Sequence, residues 1–310
     1  MKPRLFVAVI LVLIAVMLFS CGSGGSKNLD LRLRLEQGKS YGMKMVADQT
    51  ITQTIQGQTQ DVKQTIGMAY TYDVKKVESD GSALVDVTYD WVLYSQDGPM
   101  GKSEYDSSNP PASIPDAAVG YAALLGQGFS MKITPLGEVA DIQGIDALLS
   151  HVLDTLNVPA GSARDAIQDS LESQFGEEAM KESFEKATAI YPEKPVALGD
   201  SWSKKLVLAM GMPMIVDSTW TLKSRKDGVA LVDVKSTIVP NPDAKPMEIS
   251  GMTIAYEVSG DQSGTLELDE ATGWPLRSNM KQSLSGQISA ADMTWPIAIV
   301  SDIRFEPWKK

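Results

Sequence analysis

The sequence predicts an α+β fold, mostly antiparallel β: two duplicated β-hairpin units form a curved sheet, with a helical insert packed on one face. Three observations carry that prediction. DGSALVDV at 80–87 recurs as DGVALVDV at 227–234, identical at seven of eight positions. Around both copies apolar residues alternate with polar ones, the period of a half-buried strand. Between them, within 113–190, the apolar residues fall three and four apart, as on a helix with one buried stripe.

Two further echoes keep the order of the repeat. Gly38-Lys39-Ser40-Tyr41 is answered by Gly199-Asp200-Ser201-Trp202, and Gly128–Gly137 matches Gly264–Gly273 in the spacing of its two glycines. Three echoes in one order argue for duplication and fusion. Glu78-Ser79-Asp80-Gly81 and Arg225-Lys226-Asp227-Gly228 each read as a type I turn closed by a left-handed glycine, the three-residue hairpin connection. Thr134-Pro135-Leu136-Gly137 and Glu270-Ala271-Thr272-Gly273 read the same way.

The strands follow from alternation. Tyr41, Met43, Met45 and Ala47 share one face, as do Ile66, Met68, Tyr70, Tyr72 and Val74. Ala83, Val85, Val87, Tyr89, Trp91 and Leu93 form a third apolar row, and Ala230, Val232 and Val234 its counterpart. The Gln/Thr-rich stretch 49–65 reads as a long surface hairpin. A short helix is expected over Ser113–Leu125, closed by Gly126. Ile145, Leu148, Leu149, Val152, Leu153 and Leu156 make the stripe of a second. A further helix starts at Ser162, breaks at Gly176 and runs to about Ala189, before Pro192 and Pro195 return the chain to strand.

The start of the chain has another character. Lys2 and Arg4 precede fifteen unbroken apolar residues, Leu5–Phe19. That is the form of a secretory signal peptide, and it is shorter than the ~20 residues of a spanning helix. Leu18-Phe19-Ser20-Cys21 resembles the lipobox of bacterial lipoproteins, in which the cysteine thiol takes a diacylglyceryl group. Cys21 is the only cysteine, so the exported chain has no structural disulfide. The expected organisation is a signal peptide at 1–20, a flexible tether at 21–28 with a reach of roughly 12–15 Å, and a first β-rich repeat at 29–143 containing the short helix 113–125. The helical insert follows at 144–191 and a second β-rich repeat at 192–310.

Charge narrows the partners. Residues 1–20 carry two bases and no acid, so their removal takes the formal net charge from −11 to −13. So acidic a chain is a poor fit for nucleic acid or an anionic lipid surface. Lipid on Cys21 is then the membrane contact, on the outer face of the cytoplasmic membrane, or at the outer membrane of a host that has one.

The anchored start, Tyr105-Asp106-Ser107, the run Pro195–Trp202 and Thr272-Gly273-Trp274-Pro275-Leu276 together resemble a family of bacterial lipoproteins of unknown function. These are turn and strand signatures, so the resemblance brings no catalytic residues. More loosely, a curved sheet with helices is similar to the lipoprotein-carrier fold, a half-barrel closed over an apolar cavity.

The chemistry of enzymes is thin. His151 is the only histidine and cannot build a zinc site alone. Ser183/Lys186, Ser201/Lys204 and Ser278/Lys281 have the penicillin-binding spacing without its companion motifs. No cofactor and no metal are expected. Met210, Met212 and Met214 are the one alternative, as soft ligands for Cu(I). The segment Leu206–Val216 is apolar on both faces, which requires cover on both sides, and the helices of 113–190 can supply it unaided as well as a bound apolar molecule can. The first reading is a non-catalytic, membrane-anchored envelope lipoprotein that binds a lipid, another apolar molecule or an envelope partner. Met45, Tyr70, Trp91 and Leu206 are the candidate lining. The alternatives are a structural or adaptor lipoprotein with no small ligand and, more remotely, Cu(I) binding or an unrecognised enzyme.

Overall fold

The computed structural model describes residues 28–55, 57–99, 101–156, 161–208, 213–243, 247–249, 252–290 and 293–309. In chain order the first unit has β1 (Ser40–Ile55), β2 (Gln58–Val77), β3 (Ala83–Gly98), β4 (Gly101–Asp106), a 3-10 turn (Asp116–Ala118) leading into α1 (Val119–Ala123), β5 (Gly128–Ile133) and β6 (Val139–Gln143). Three helices follow: α2 (Ile145–Thr155), α3 (Ser162–Phe175) and α4 (Glu177–Thr188). The second unit has β7 (Ser201–Leu208), β8 (Met214–Lys226), β9 (Val229–Pro240), β10 (Met247–Ile249), β11 (Met252–Asp269), β12 (Pro275–Ala290) and β13 (Met293–Pro307).

All these strands belong to one sheet, in the order β6-β5-β3-β2-β1-β13-β12-β11-β9-β8-β7, with β4 beside β3 and β10 beside β11. Every pairing is antiparallel, as short local connections favour. The two units join where β1 meets β13, from Met43 opposite Pro307 to Gln53 opposite Ile297. The sheet curves but does not close: β6 of the first unit and β7 of the second remain as its edges.

The units share registers as well as order. Ser40 opposes Asp73 and Ser201 opposes Thr221. Gly38 and Gly199 donate their N–H groups to Val74 and Leu222, each at 2.8 Å. A bulge at Lys75 shifts β2 against β3, and one at Lys223 shifts β8 against β9. Each bulge lysine reaches the aspartate of its own VDV, Lys75 to Asp86 at 3.3 Å and Lys223 to Asp233 at 3.4 Å. The turns that carry the repeat are less alike than their sequences. Gly81 (φ 85°) and Gly228 (φ 80°) are both left-handed. Asp227 also has positive φ, 52°, and Lys226 pairs with Val229, so this is a two-residue primed turn rather than the three-residue connection expected. The first unit instead uses a longer loop between Val77 and Ala83.

The glycine spacing at 128–137 and 264–273 misleads by one residue. Val87 faces Phe129, whereas its counterpart Val234 faces Gly264, because the β11–β12 turn is one residue longer than the β5–β6 turn. The third apolar row also needs correction. The ladder slips between Ala69/Trp91 and Tyr70/Tyr89, which leaves Asp90 as the extra residue and turns Trp91 to the opposite face from Tyr89.

One face of the sheet holds the main core. Val85, Val87, Tyr89, Phe129 and Met131 of the first unit pack with Trp220, Leu222, Val232, Val234 and Leu266 of the second. Helices cover this face: the Phe184 ring of α4 lies 5.1 Å from Phe129 and 6.1 Å from Tyr70. An extended strap, Leu29–Leu35, crosses the end of the sheet with Leu29, Leu31, Leu33 and Leu35 buried. Each such leucine contributes about 1.5–3 kcal/mol of transfer free energy. The strap is held by Leu33 N–H to Pro135 O at 2.8 Å and Arg34 N–H to Thr272 O at 2.7 Å, one bond to each unit. Further along the same face Leu208, Met214, Val216, Ile238, Val258, Leu284 and Ile297 form a second apolar cluster.

The helix expected over Ser113–Leu125 is shorter, the 3-10 turn at Asp116–Ala118 and α1 at Val119–Ala123, because Pro115 before them is extended. The other helices appear at 145–155 and 162–188, the last interrupted at Gly176. Leu206–Val216 is not one strand covered on both faces. It belongs to two strands that pair with each other, Leu208 opposite Met214.

Candidate functional site

Side-chain alternation places a polar row inside the sheet. On β8 the inward positions run Leu222, Trp220, Ser218, Val216, and on β9 they run Val232, Val234, Ser236, Ile238. On β12 Gln282 falls between Met280 and Leu284. These interruptions lie at matched registers. Lys204 opposes Ser218, Ser218 opposes Ser236, and Ser236 opposes Gln262. Gln262 then opposes Gln282, Gln282 opposes Ser301, and Ser301 opposes Gln49. The row continues through Gln64 and Gln96 to Ser103. A polar girdle therefore crosses the inner face and separates the main core from the second cluster.

Burying hydroxyls and carboxamides requires partners. Ser218 and Ser236 share a hydrogen bond of 2.7 Å, and the Gln282 amide donates to Gln262 at 3.2 Å. The Ser301 hydroxyl, in a residue 1 % exposed, has no hydrogen-bond partner among the described residues.

At the Lys204 end the girdle opens into a pocket of about 410 Å³. It lies at the seam between the sheet edges. Val139 and Ala140 of β6, Glu185 and Lys186 of α4 with Ala189 beyond it, and Lys204–Leu206 of β7 form its walls, with Val216, Ser218 and Trp220 of β8. Thr134 and Glu138 of the β5–β6 turn complete it at the end crossed by the strap. The volume lies within the range of small-molecule sites. Lys186 is exposed as a residue, while the crowding of protein around its ammonium lowers its pKa by desolvation. Glu185 is engaged, accepting the Val139 N–H at 3.1 Å.

Of the four predicted lining residues, Leu206 alone lines this pocket. Tyr70 sits in the main core, 5.0 Å from the Tyr89 ring, its hydroxyl donating to Met68 Sδ at 3.0 Å. Burial raises the pKa of the Tyr70 phenol well above its ordinary value, so it stays neutral. Met45 opposes Met68 and Phe305 in the sheet, away from the seam. Trp91 is on the outer face, over Gly67, with the Lys44 ammonium 4.5 Å from its ring and the Trp308 ring at 6.4 Å. Of the three methionines considered for Cu(I), Met214 is buried in the second cluster, and Met210 and Met212 lie outside the described residues. Cys21 also lies outside them.

A second pocket, about 430 Å³, opens on the outer face. It is polar: Ser40, Thr71, Asp73, Thr88, Asp90 and Lys309 contribute, with Tyr41, Gly42 and Trp308. Within it Ser40 donates to Asp73 and Thr71 to Asp90.

In the sequence Lys186 and Lys204 stand out only within the Ser183/Lys186 and Ser201/Lys204 spacings, and Ser218 and the girdle glutamines not at all. For the strand residues the signal was a polar residue in the apolar phase, as in Trp202-Lys204-Leu206 and Val234-Ser236-Ile238. Only the pairing of nonlocal strands shows that these interruptions line up.

A single open antiparallel sheet with helices and a strap on its inner face, and a pocket at its seam, defines the architecture. Residues 80–275, from the first Asp-Gly turn to the Trp-Pro turn, match a family of unknown function (DUF6263), and the chain belongs to that family. No curated protein matches it. Among solved structures, the crystal structure of Pseudomonas aeruginosa OpdQ is similar over 87% of this chain and 100% of that one. At 5% identity and a TM-score of 0.20 this likeness carries no argument about fold or function.

Proposed function

We propose that this chain is an envelope lipoprotein, anchored through lipid on Cys21, that binds an apolar ligand in the seam pocket. The supporting observation is the pocket itself: apolar walls from Val139, Ala189, Leu206, Val216 and Trp220, left where the sheet edges fail to meet. Its location suits the anchor. The strap that follows the tether crosses the β5–β6 turn, which also lines the pocket. A tether reaching roughly 12–15 Å keeps that end near the bilayer.

Organic extraction of full-length protein purified from membranes should release one equivalent of an acyl-chain molecule, read by mass spectrometry. Leu206→Trp, which fills the pocket, should lower retention to about a tenth with the thermal transition unchanged. Absence of any retained apolar molecule from the unaltered protein would leave the adaptor reading, in which both inner apolar clusters serve only as core.

A further inference from the structure

We infer that the seam pocket takes a single-chain anionic amphiphile, its charged group between Lys186 and Lys204 and its uncharged polar linkage against the Ser218 end of the girdle. This rests on the apolar-ligand reading and adds the chemistry of the head.

Three features of the pocket carry it. The first is charge. Lys186, Lys204 and Lys205 line the pocket with Glu138 and Glu185, in a chain whose net charge is −11. Neither Lys186 nor Lys204 forms an ion pair among the described residues, and Glu185 is turned to the Val139 N–H at 3.1 Å. Two pocket ammonium groups with no carboxylate paired to them among the described residues are placed to pair with a ligand carboxylate or phosphate.

The second is the girdle. Moving inward from Lys204, the next partners across the sheet are Ser218, Ser236 and Gln262, all uncharged groups that both donate and accept. They suit an ester, amide or hydroxyl linkage rather than a second ion. Ser301, further along the row, is 1 % exposed with its hydroxyl without a partner among the described residues, so the girdle still has hydrogen-bonding capacity.

The third is the order of surfaces. Leu206 and Val216 flank Lys204 and Ser218 on one side and belong to the second apolar cluster. Cation, neutral hydrogen-bonding group and hydrocarbon thus follow one another over adjacent residues, in the sequence of an amphiphile's head, linkage and chain. A volume of about 410 Å³ stands at the lower end of ligand pockets, which favours one chain over several.

The test uses full-length protein in nanodiscs of zwitterionic lipid and reads quenching of tryptophan fluorescence by two brominated probes. One is dibromostearate and the other the uncharged glycerol monoester of the same acid. Dibromostearate should half-saturate at a concentration about tenfold lower, and Trp220→Phe should remove most of the quenching. Lys186→Met with Lys204→Met should bring the two probes to equal affinity while the neutral one still binds, which also shows that the variant folds. Equal affinity in the unaltered protein, or a preference that survives the double substitution, overturns the anionic head and leaves the apolar site standing. Binding of neither probe overturns both.

Discussion

The two units of the sheet are close in register and unlike in what crosses them. Both place a bulge lysine against the aspartate of the VDV strand, and both bulge again beside the next turn, at Lys132/Ile133 and Glu267/Leu268. They diverge after the sixth strand. β6 is 5 residues long and gives way to α2–α4, whereas its counterpart β12 runs for 16 residues and turns into β13, which reaches β1. One unit thus ends in helices and the other in the strand that joins the halves. The seam exists because of that difference, and its pocket is lined from both sides. Repetition supplies the ladder; the unrepeated parts supply the site.

The turns sharpen the comparison. Gly137 and Gly273 occupy equivalent turns, each pressed by a different crossing segment. A Cβ on Gly137 would stand 1.7 Å from the Thr188 carbonyl at the end of α4, and one on Gly273 2.1 Å from the Arg32 carbonyl of the strap. The largest effect is expected at Gly137→Ala, because backbone must move and φ is 79°. Denaturant unfolding should show a loss of about 3 kcal/mol or more. Gly81→Ala, with Pro135 Cγ at 3.0 Å, should cost less. Gly228→Ala, with nothing within 4 Å, should cost only the left-handed penalty of about 1–2 kcal/mol. If Gly137→Ala is no worse than Gly228→Ala, the end of α4 does not press on that turn.

A smaller effect separates the units by pH. Arg225 binds Glu270 through two hydrogen bonds of 2.8 Å, where the first unit has Val77 and Pro135. The hydrogen bond from Arg225 holds the Glu270 carboxyl below the usual range, against desolvation. Its stabilisation is complete above the ordinary glutamate pKa, about 4.3, and disappears as pH falls through the lower folded value. Glu270→Gln should cost about 1 kcal/mol at pH 7 and should remove part of the acid sensitivity. Urea titrations at pH 7 and pH 3 measure both; an unchanged acid slope would assign that sensitivity to other carboxylates.

The smallest effect should be the same in both units. Lys75→Met and Lys223→Met break pairs whose lysines are each 51 % exposed, so each should change stability by about 0.5 kcal/mol or less. Unequal losses would show that the bulges do not bear the same role.

Much of the architecture was legible because strands and turns are local. Alternation marked Tyr41–Ala47 and Ile66–Val74, and Gly126 and Gly176 marked where helices end or break. What escaped was nonlocal or one residue wide. The bulge at Asp90 sends Trp91 to the outer face although Tyr89 and Trp91 are two apart, and no periodicity reveals it. The β1–β13 pairing brings together residues about 250 positions apart. The candidate site suffered most: alternation favoured large apolar residues such as Tyr70, which packing consumes, over Lys204 and Ser218, which line the pocket at the open edge.

The strap has a mechanical consequence. Its first fixed point is Leu29, bridged to Val196 by hydrogen bonds of 2.8 and 2.9 Å. Val196 lies in the linker from α4 to β7, where the Ile190 carbonyl accepts the Trp202 indole N–H at 2.8 Å. With lipid on Cys21 as proposed, tension on the anchor enters at residue 28 and peels the strap from that end. The load passes first to the linker between the two walls of the seam, before it reaches either unit's ladder. Lateral drag in the bilayer would then reach the α4–β7 linker first, and the β5–β6 and β11–β12 turns only after the strap's bonds to Pro135 and Thr272 take up the load.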